Sequence, residues 1–210
     1  MGRSSTNLVL AESRGERVSS QERTTWDQRF REGSHAGSPP DPFLEQLKEY
    51  SSLFLPNRRA LDVACGAGRH AVWLAERGWH VIGCDLSLEG LQKARALAQQ
   101  RAVRLDLVCL DLGMPCLPVE RFDLIVVFFY LQRNLFEPLQ RALRSGGLMV
   151  YKTYTTDQNR FSGGPSHPLH LLQPQELLEQ FRHFRILCYQ ETLQGRGVAQ
   201  LIAQKSPRQS

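Results

Sequence analysis

Residues 59 to 85 read RALDVACGAGRHAVWLAERGWHVIGCD, and this stretch limits the folds open to the chain more than any other. A short apolar run, Ala60 to Ala64, stops at a loop carrying Gly66 and Gly68. Helix-favouring residues follow to about Arg77, Gly78 supplies a stop, and a second apolar run from Trp79 to Cys84 ends on Asp85. That order is a β-loop-α-β unit, the building block of a mostly parallel α/β sheet. Glycines at the first strand-to-helix turn let backbone approach a ligand closely, and a carboxylate closing the next strand can accept two hydrogen bonds from a ribose diol. A ligand carrying a nucleoside is therefore expected at this turn.

Two cofactor classes fit such a unit. Gly66, Gly68 and Ala71 satisfy the dinucleotide pattern GxGxxG/A, with Asp85 near the expected spacing of ~20 residues. Asp62 decides between the classes, because it lies just before the glycine loop, where a pyrophosphate would otherwise rest. A carboxylate beside a pyrophosphate is repelled, and a low effective dielectric makes that costly. A cofactor with an ammonium, a sulfonium and no phosphate is attracted instead, and S-adenosylmethionine is such a cofactor.

The segment LDVACGAGRHAVWLAERGWHVIGCDLS closely resembles the first two motifs of the class I S-adenosylmethionine-dependent methyltransferases, and more narrowly their tellurite-resistance and thiopurine methyltransferase-like branch. The resemblance extends over roughly Trp26 to Lys205 and departs at Ala64, where the family pattern has its first glycine. It implies an α/β fold, a Rossmann-like three-layer sandwich whose mostly parallel seven-stranded sheet ends in an antiparallel hairpin. It also implies a cofactor site built from Asp62, Ala64, Cys65, Gly66, Gly68, Asp85 and Leu86, with Asp111 and Leu112 at the adenine and Phe128 and Phe129 at the end of the fourth strand. TTWDQRF resembles the Trp-Asp-x-Arg-Tyr segment that folds over the cofactor in this branch, with Phe30 in place of Tyr, which adds Trp26 to the site. The alternative for Trp26 and Phe30 is a plain i, i+4 apolar pair on a short helix.

Bulk properties narrow the partner. The 210 residues suit one domain with a buried core, expected over residues 24–205 behind a flexible polar tail of residues 1–23. The formal charge of +5 is concentrated at the ends, since residues 1–31 contribute +2, residues 205–210 another +2, and the remainder only +1. A nearly neutral core disfavours a nucleic-acid substrate. Cys65, Cys84, Cys109, Cys116 and Cys188 form no CxxC pair and read as reduced thiols in a cytoplasmic protein, and no metal site is expected. With no run of ~20 apolar residues, no membrane partner is expected either.

Along the rest of the chain, Asp41 and Pro42 start a helix with Phe43, Leu47, Tyr50 and Phe54 on its buried face. Ser87 caps a second one, and a third strand from Arg104 closes on Asp111, which has a plain turn-capping role before Gly113 as its alternative. FDLIVVFFYL is expected as the central strand, covered on both faces. A helix from Arg133 to Arg144, a turn at Ser145 to Gly147 and a fifth strand, LMVYKTY, come next. Pro174 is expected to open a short helix, and a final hairpin pairs Arg185–Thr192 with Gly197–Ala203. The long polar loop TYTTDQNRFSGGPSHPLHLLQ begins at the carboxyl edge of the sheet, where a methyl acceptor would lie. Arg133, Arg160 and His167 are the expected catalytic or acceptor-facing residues, and this loop together with residues 24–40 is expected to form a lid. The leading function is methyl transfer from S-adenosylmethionine to a small-molecule acceptor such as a thiol or an oxyanion. RNA or protein methylation, a non-catalytic S-adenosylmethionine-binding protein and an NAD-dependent dehydrogenase are the alternatives, and the oligomeric state is left open.

Overall fold

The computed structural model describes residues 20–33, 37–114 and 116–206. Seven strands form one sheet: β1 (Arg59–Val63), β2 (His80–Asp85), β3 (Leu105–Cys109), β4 (Phe122–Phe128), β5 (Leu143–Tyr154), β6 (Arg185–Thr192) and β7 (Val198–Gln204). Their spatial order is β3-β2-β1-β4-β5-β7-β6, and only β7 runs against its neighbours, so the expected sandwich with a terminal antiparallel hairpin is the fold observed. The order in which strands are added reverses between the parallel neighbours β1 and β4, which makes the topological switch point, where ligands of open α/β sheets bind.

All seven residues of β4 are buried. Its alternate side chains feed two layers, because successive residues of a strand point to opposite faces. Ile125 and Val127 pack with Phe136 and Leu139 of α4 (Phe136–Ala142) and Leu177 of α5 (Glu176–Gln180). Leu124, Val126 and Phe128 pack with Leu74 of α2 (Arg69–Ala75) and with Phe43 and Leu47. Helix α3 (Leu88–Gln100) is capped as expected, Ser87 accepting a hydrogen bond from the Gly90 N–H.

Four local expectations change. The segment Pro42–Leu53 winds as a 3₁₀ helix kinked at Tyr50. Apolar residues three and four apart fit either winding, so the periodicity does not distinguish them. Helix α4 stops at Ala142, two residues early, because the Lys205 ammonium takes the carbonyls of Gln140 and Leu143 and Arg144 pairs with the buried Asp123 at 3.0 Å. The turn expected at Ser145 to Gly147 is instead part of β5, with a register shift in β4 opposite it. Finally, a helix α1 over residues 20–31 begins within the segment expected as a tail, whose residues 1–19 lie outside the described ones. No described helix is long and apolar enough to cross a membrane.

Candidate active site

Asp62 sits in the middle of the sheet, level with Gly83 of β2 and Val126 of β4, and is 1% exposed. Its carboxyl accepts a hydrogen bond from the Ala71 backbone at the start of α2, while Oδ2 is buried with no hydrogen-bond partner among the described residues. Burial pushes this carboxyl up to about 8, with the nearby Asp85 adding to the rise and Arg69 opposing it. Such an atom is expensive to leave unpaired. A cation or N–H donor arriving beside it gains what the protein withholds.

The glycine loop follows directly on the strand that carries Asp62. Gly68, at φ +79°, approaches α3 so closely that a Cβ there would lie 2.7 Å from the Ala94 Cβ, which explains the glycine by both conformation and space. Ala64 occupies the family's first glycine position in the left-handed region at φ +53°. Alanine is thus small enough for the site yet pays a conformational cost of ~1–2 kcal/mol that glycine would not. Cys65 is buried, its sulfur beside Gly83, and burial pushes its thiol well up, so it acts as loop packing, its N–H donating to the Cys84 carbonyl and its carbonyl accepting from the Gly68 N–H.

Asp85 closes β2 and is likewise buried. Its two oxygens accept from the N–H groups of Gly66 and Ser87, each at 2.8 Å, and burial raises its carboxyl above the ordinary range. The Leu86 backbone also donates to this carboxyl, and each carboxylate oxygen can accept more than one hydrogen bond. Leu86 beside it is half-buried.

Helix α1 forms a roof over this region. Asp27 accepts from the Ser87 hydroxyl at 2.6 Å and from the Glu89 N–H at 3.2 Å, the Lys93 ammonium donates to the Phe30 carbonyl, and Arg31 pairs with Glu89. The Phe30 ring, 4% exposed, lies directly against Gly66 and Gly90, so close that a Cβ on either would meet it at 2.9 Å. Trp26 stands 6.1 Å from that ring, is 38% exposed, and carries the Arg29 guanidinium 4.9 Å above its own ring. Phe30, expected at the Tyr position of the segment that folds over the cofactor or as an apolar partner of Trp26, is the aromatic that touches the glycine loop.

At the carboxyl ends of β3 and β4 the remaining expected residues gather. Leu112 is buried and Asp111 accepts from the Gly113 N–H at 2.8 Å, the turn-capping bond foreseen as its alternative role. The Phe128 ring is stacked on His70, centroids 4.1 Å apart, and so is committed to the core. Phe129 turns the other way with φ +57°, and its ring lies 5.1 Å from that of Tyr154. Beside it Lys152 of β5 pairs with Asp41 at 2.8 Å, both side chains at most 12% exposed, and the Asp41 N–H donates to His70 Nε2. A lysine inside the apolar strand LMVYKTY was the sequence signal for this pair.

The three residues expected on the acceptor side are not brought together. Arg133 grips Glu176 with two hydrogen bonds of 2.7 and 2.9 Å and donates to the carbonyls of Leu169 and Leu171, so it staples the long loop to α5. Arg160 pairs with Asp157 and is largely exposed, and His167 accepts from the Leu169 N–H. Among the described residues no hydrogen bond or ion pair joins any of the three to the glycine loop, Asp85 or Phe129. The loop itself is tied down at its base, through the Thr155 N–H to the Gly197 carbonyl, the Gln158 side chain to Gly163 and Gly197, and a bridge between Thr155 and Leu172. Its crest, residues 162–164 and 166–170, is exposed.

Comparison with known proteins agrees with this geometry. Residues 60–147, the span from β1 into β5, match the family model described as a methyltransferase domain. A probable thiol methyltransferase of Arabidopsis thaliana is 29% identical over 150 residues, a match that covers 66% of this chain and 63% of that protein. For the ubiquinone biosynthesis O-methyltransferase of Coxiella burnetii the match covers only 45% of the relative, so the chain spans less than two thirds of the curated relatives it resembles. In fold it is similar to TehB from Haemophilus influenzae, with a TM-score of 0.65 at 16% identity over 86% of this chain and 67% of that one.

Proposed function

We infer that this chain, a member of the class I S-adenosylmethionine-dependent methyltransferases, transfers a methyl group to a small-molecule acceptor. The observation that carries the reading is Asp62: its buried Oδ2 has no hydrogen-bond partner among the described residues, and a carboxyl kept protonated by burial gains by ionising against an arriving α-ammonium, a gain that a pyrophosphate does not offer. Asp62 would hold that ammonium, Asp85 the ribose diol, and Asp111 with Leu112 the adenine. When bound, S-adenosylmethionine supplies a methyl group on a sulfonium, which passes to the acceptor's lone pair as the old carbon–sulfur bond breaks. The protein's share is orientation and exclusion of water, tasks suited to a roof helix anchored by Asp27 and Phe30.

A soft nucleophile such as a thiolate needs no strong general base. The thiol methyltransferase relative supports a small sulfur acceptor in the tellurite-resistance and thiopurine methyltransferase-like branch, and unpaired cysteines suit a cytoplasmic setting. Calorimetry should show binding of S-adenosylmethionine and S-adenosylhomocysteine, with no binding of NAD. Release of S-adenosylhomocysteine, followed across thiols, oxyanions, amines and tRNA, should be fastest with a thiol or oxyanion. Binding of NAD alone would refute the cofactor assignment, and turnover confined to tRNA would refute the acceptor class.

A further inference from the structure

At the amino edge of the sheet, away from the glycine loop, a cavity of about 250 Å³ opens between the 3₁₀ helix Pro42–Leu53 and α2. Arg58 and Trp79, which line it, immediately precede β1 and β2, while the glycine loop lies past the far end of the five-residue β1, ~16 Å along the strand. Leu47, Trp73 and Trp79 line it as buried side chains, and Phe54 meets Trp79 edge to face with centroids 5.0 Å apart. Three cations stand around these rings. Arg58 lies 5.3 Å from the Phe54 ring and 5.8 Å from the Trp79 ring, Arg77 sits 3.7 Å over the Trp73 ring, and the exposed Lys48 completes the set. Against them Glu45 accepts from the Trp73 indole N–H at 2.8 Å and pairs with Lys48 and Arg77, while Glu76, farther out, is shared between Arg77 and Arg101. Arg58 is left over. Among the described residues no carboxylate lies within ion-pair distance of it, and its backbone holds φ +48°, the left-handed region that side-chain-bearing residues rarely adopt. An aromatic recess with excess positive charge repels a further cation and favours an anion.

We propose that this cavity is a second ligand site, separate from the one for methyl transfer, and that it takes a small aromatic acid, a flat ring system carrying a carboxylate. The ring packs against Trp73, Trp79 and Phe54, where offset and edge contacts are favourable and apolar surface leaves water. The carboxylate meets Arg58, whose planar fork matches that group. A volume just under the usual range for small-molecule sites suits a ligand of one or two fused rings. Because the two sites lie at opposite edges of the sheet, the acid and the cofactor are held at the same time.

The test is calorimetric titration of the protein, saturated with S-adenosylhomocysteine, with indole-3-acetate, its neutral amide and the cationic tryptamine. The acid should bind about tenfold or more tightly than the amide, and tryptamine weakest of the three. Arg58→Asn keeps a residue that tolerates the left-handed conformation and should reduce the preference for acid over amide to within about threefold. Ser51→Trp, at an exposed lining position, should fill the cavity and weaken the acid and the amide alike by about tenfold or more. Both variants should keep the wild-type affinity for S-adenosylhomocysteine. No binding of the acid, equal or tighter binding of the amide or tryptamine, or an undiminished preference in Arg58→Asn overturns the proposal. So does unweakened binding of the acid by Ser51→Trp, which would place it in the methyl-acceptor site, or binding only when S-adenosylhomocysteine is absent, which would place it in the cofactor site.

Discussion

Replacing Asp62 by Asn isolates the group on which the cofactor assignment depends. In the ligand-free protein burial lifts this carboxyl to about 8 from an ordinary value of 3.8. The folded chain therefore keeps a proton that the unfolded chain releases, and the sign follows: wild-type stability falls as pH rises from about 4 toward about 8, the reverse of a salt-bridged carboxylate. At pH 7 the two states differ over about three pH units, and at about 1.36 kcal/mol per unit the burden is at most about 4 kcal/mol. Asn has the same shape and no proton to lose, so the variant should be more stable than wild type at pH 8 and gain little at pH 4. Urea unfolding of both proteins across this range, without ligand, measures the difference. The same substitution removes the charge that meets the ammonium, so S-adenosylhomocysteine should bind more weakly by about 1–3 kcal/mol. Wild-type binding at pH 7 should also release up to about one proton, visible as a buffer-dependent heat. Parallel pH profiles for the two proteins, or unchanged affinity in the variant, would refute the reasoning.

Two further outcomes follow from backbone conformation and from the loop. Ala64→Gly should stabilise the protein by about 1 kcal/mol in urea unfolding, because the residue sits at φ +53° and loses only a methyl group on replacement; a destabilised variant would show that the methyl packs more than the backbone strains. Arg133→Ala should raise hydrogen exchange in residues 166–173 and cost about 1–2 kcal/mol, since Glu176 and two carbonyls lose their donor, while S-adenosylhomocysteine affinity stays constant. A large loss of cofactor affinity would return Arg133 to the site.

Helix and strand order along the chain, the terminal hairpin and the placing of the glycine loop between two parallel strands were legible in the sequence, because they are local. Asp62, the glycine loop and Asp85 lie within one β-loop-α-β unit, and alternation, capping residues and glycines dictate where each falls once the unit forms. The roof and the acceptor side were not legible in that way. Lys152 and Asp41 are 111 residues apart, and Arg196 reaches Phe129 only because β7 inserts antiparallel beside β5 and carries the preceding turn to the sheet's carboxyl edge. Arg133 shows the same limit from the other direction. Its place after the fourth strand suggested an acceptor-facing cation, but the partner it found, Glu176, is 43 residues away on α5. Spacing along a chain specifies which residues share a turn or a strand face; which charges meet across elements is settled by sheet register and packing, where burial decides whether a charge is paired, protonated or left to bind a ligand.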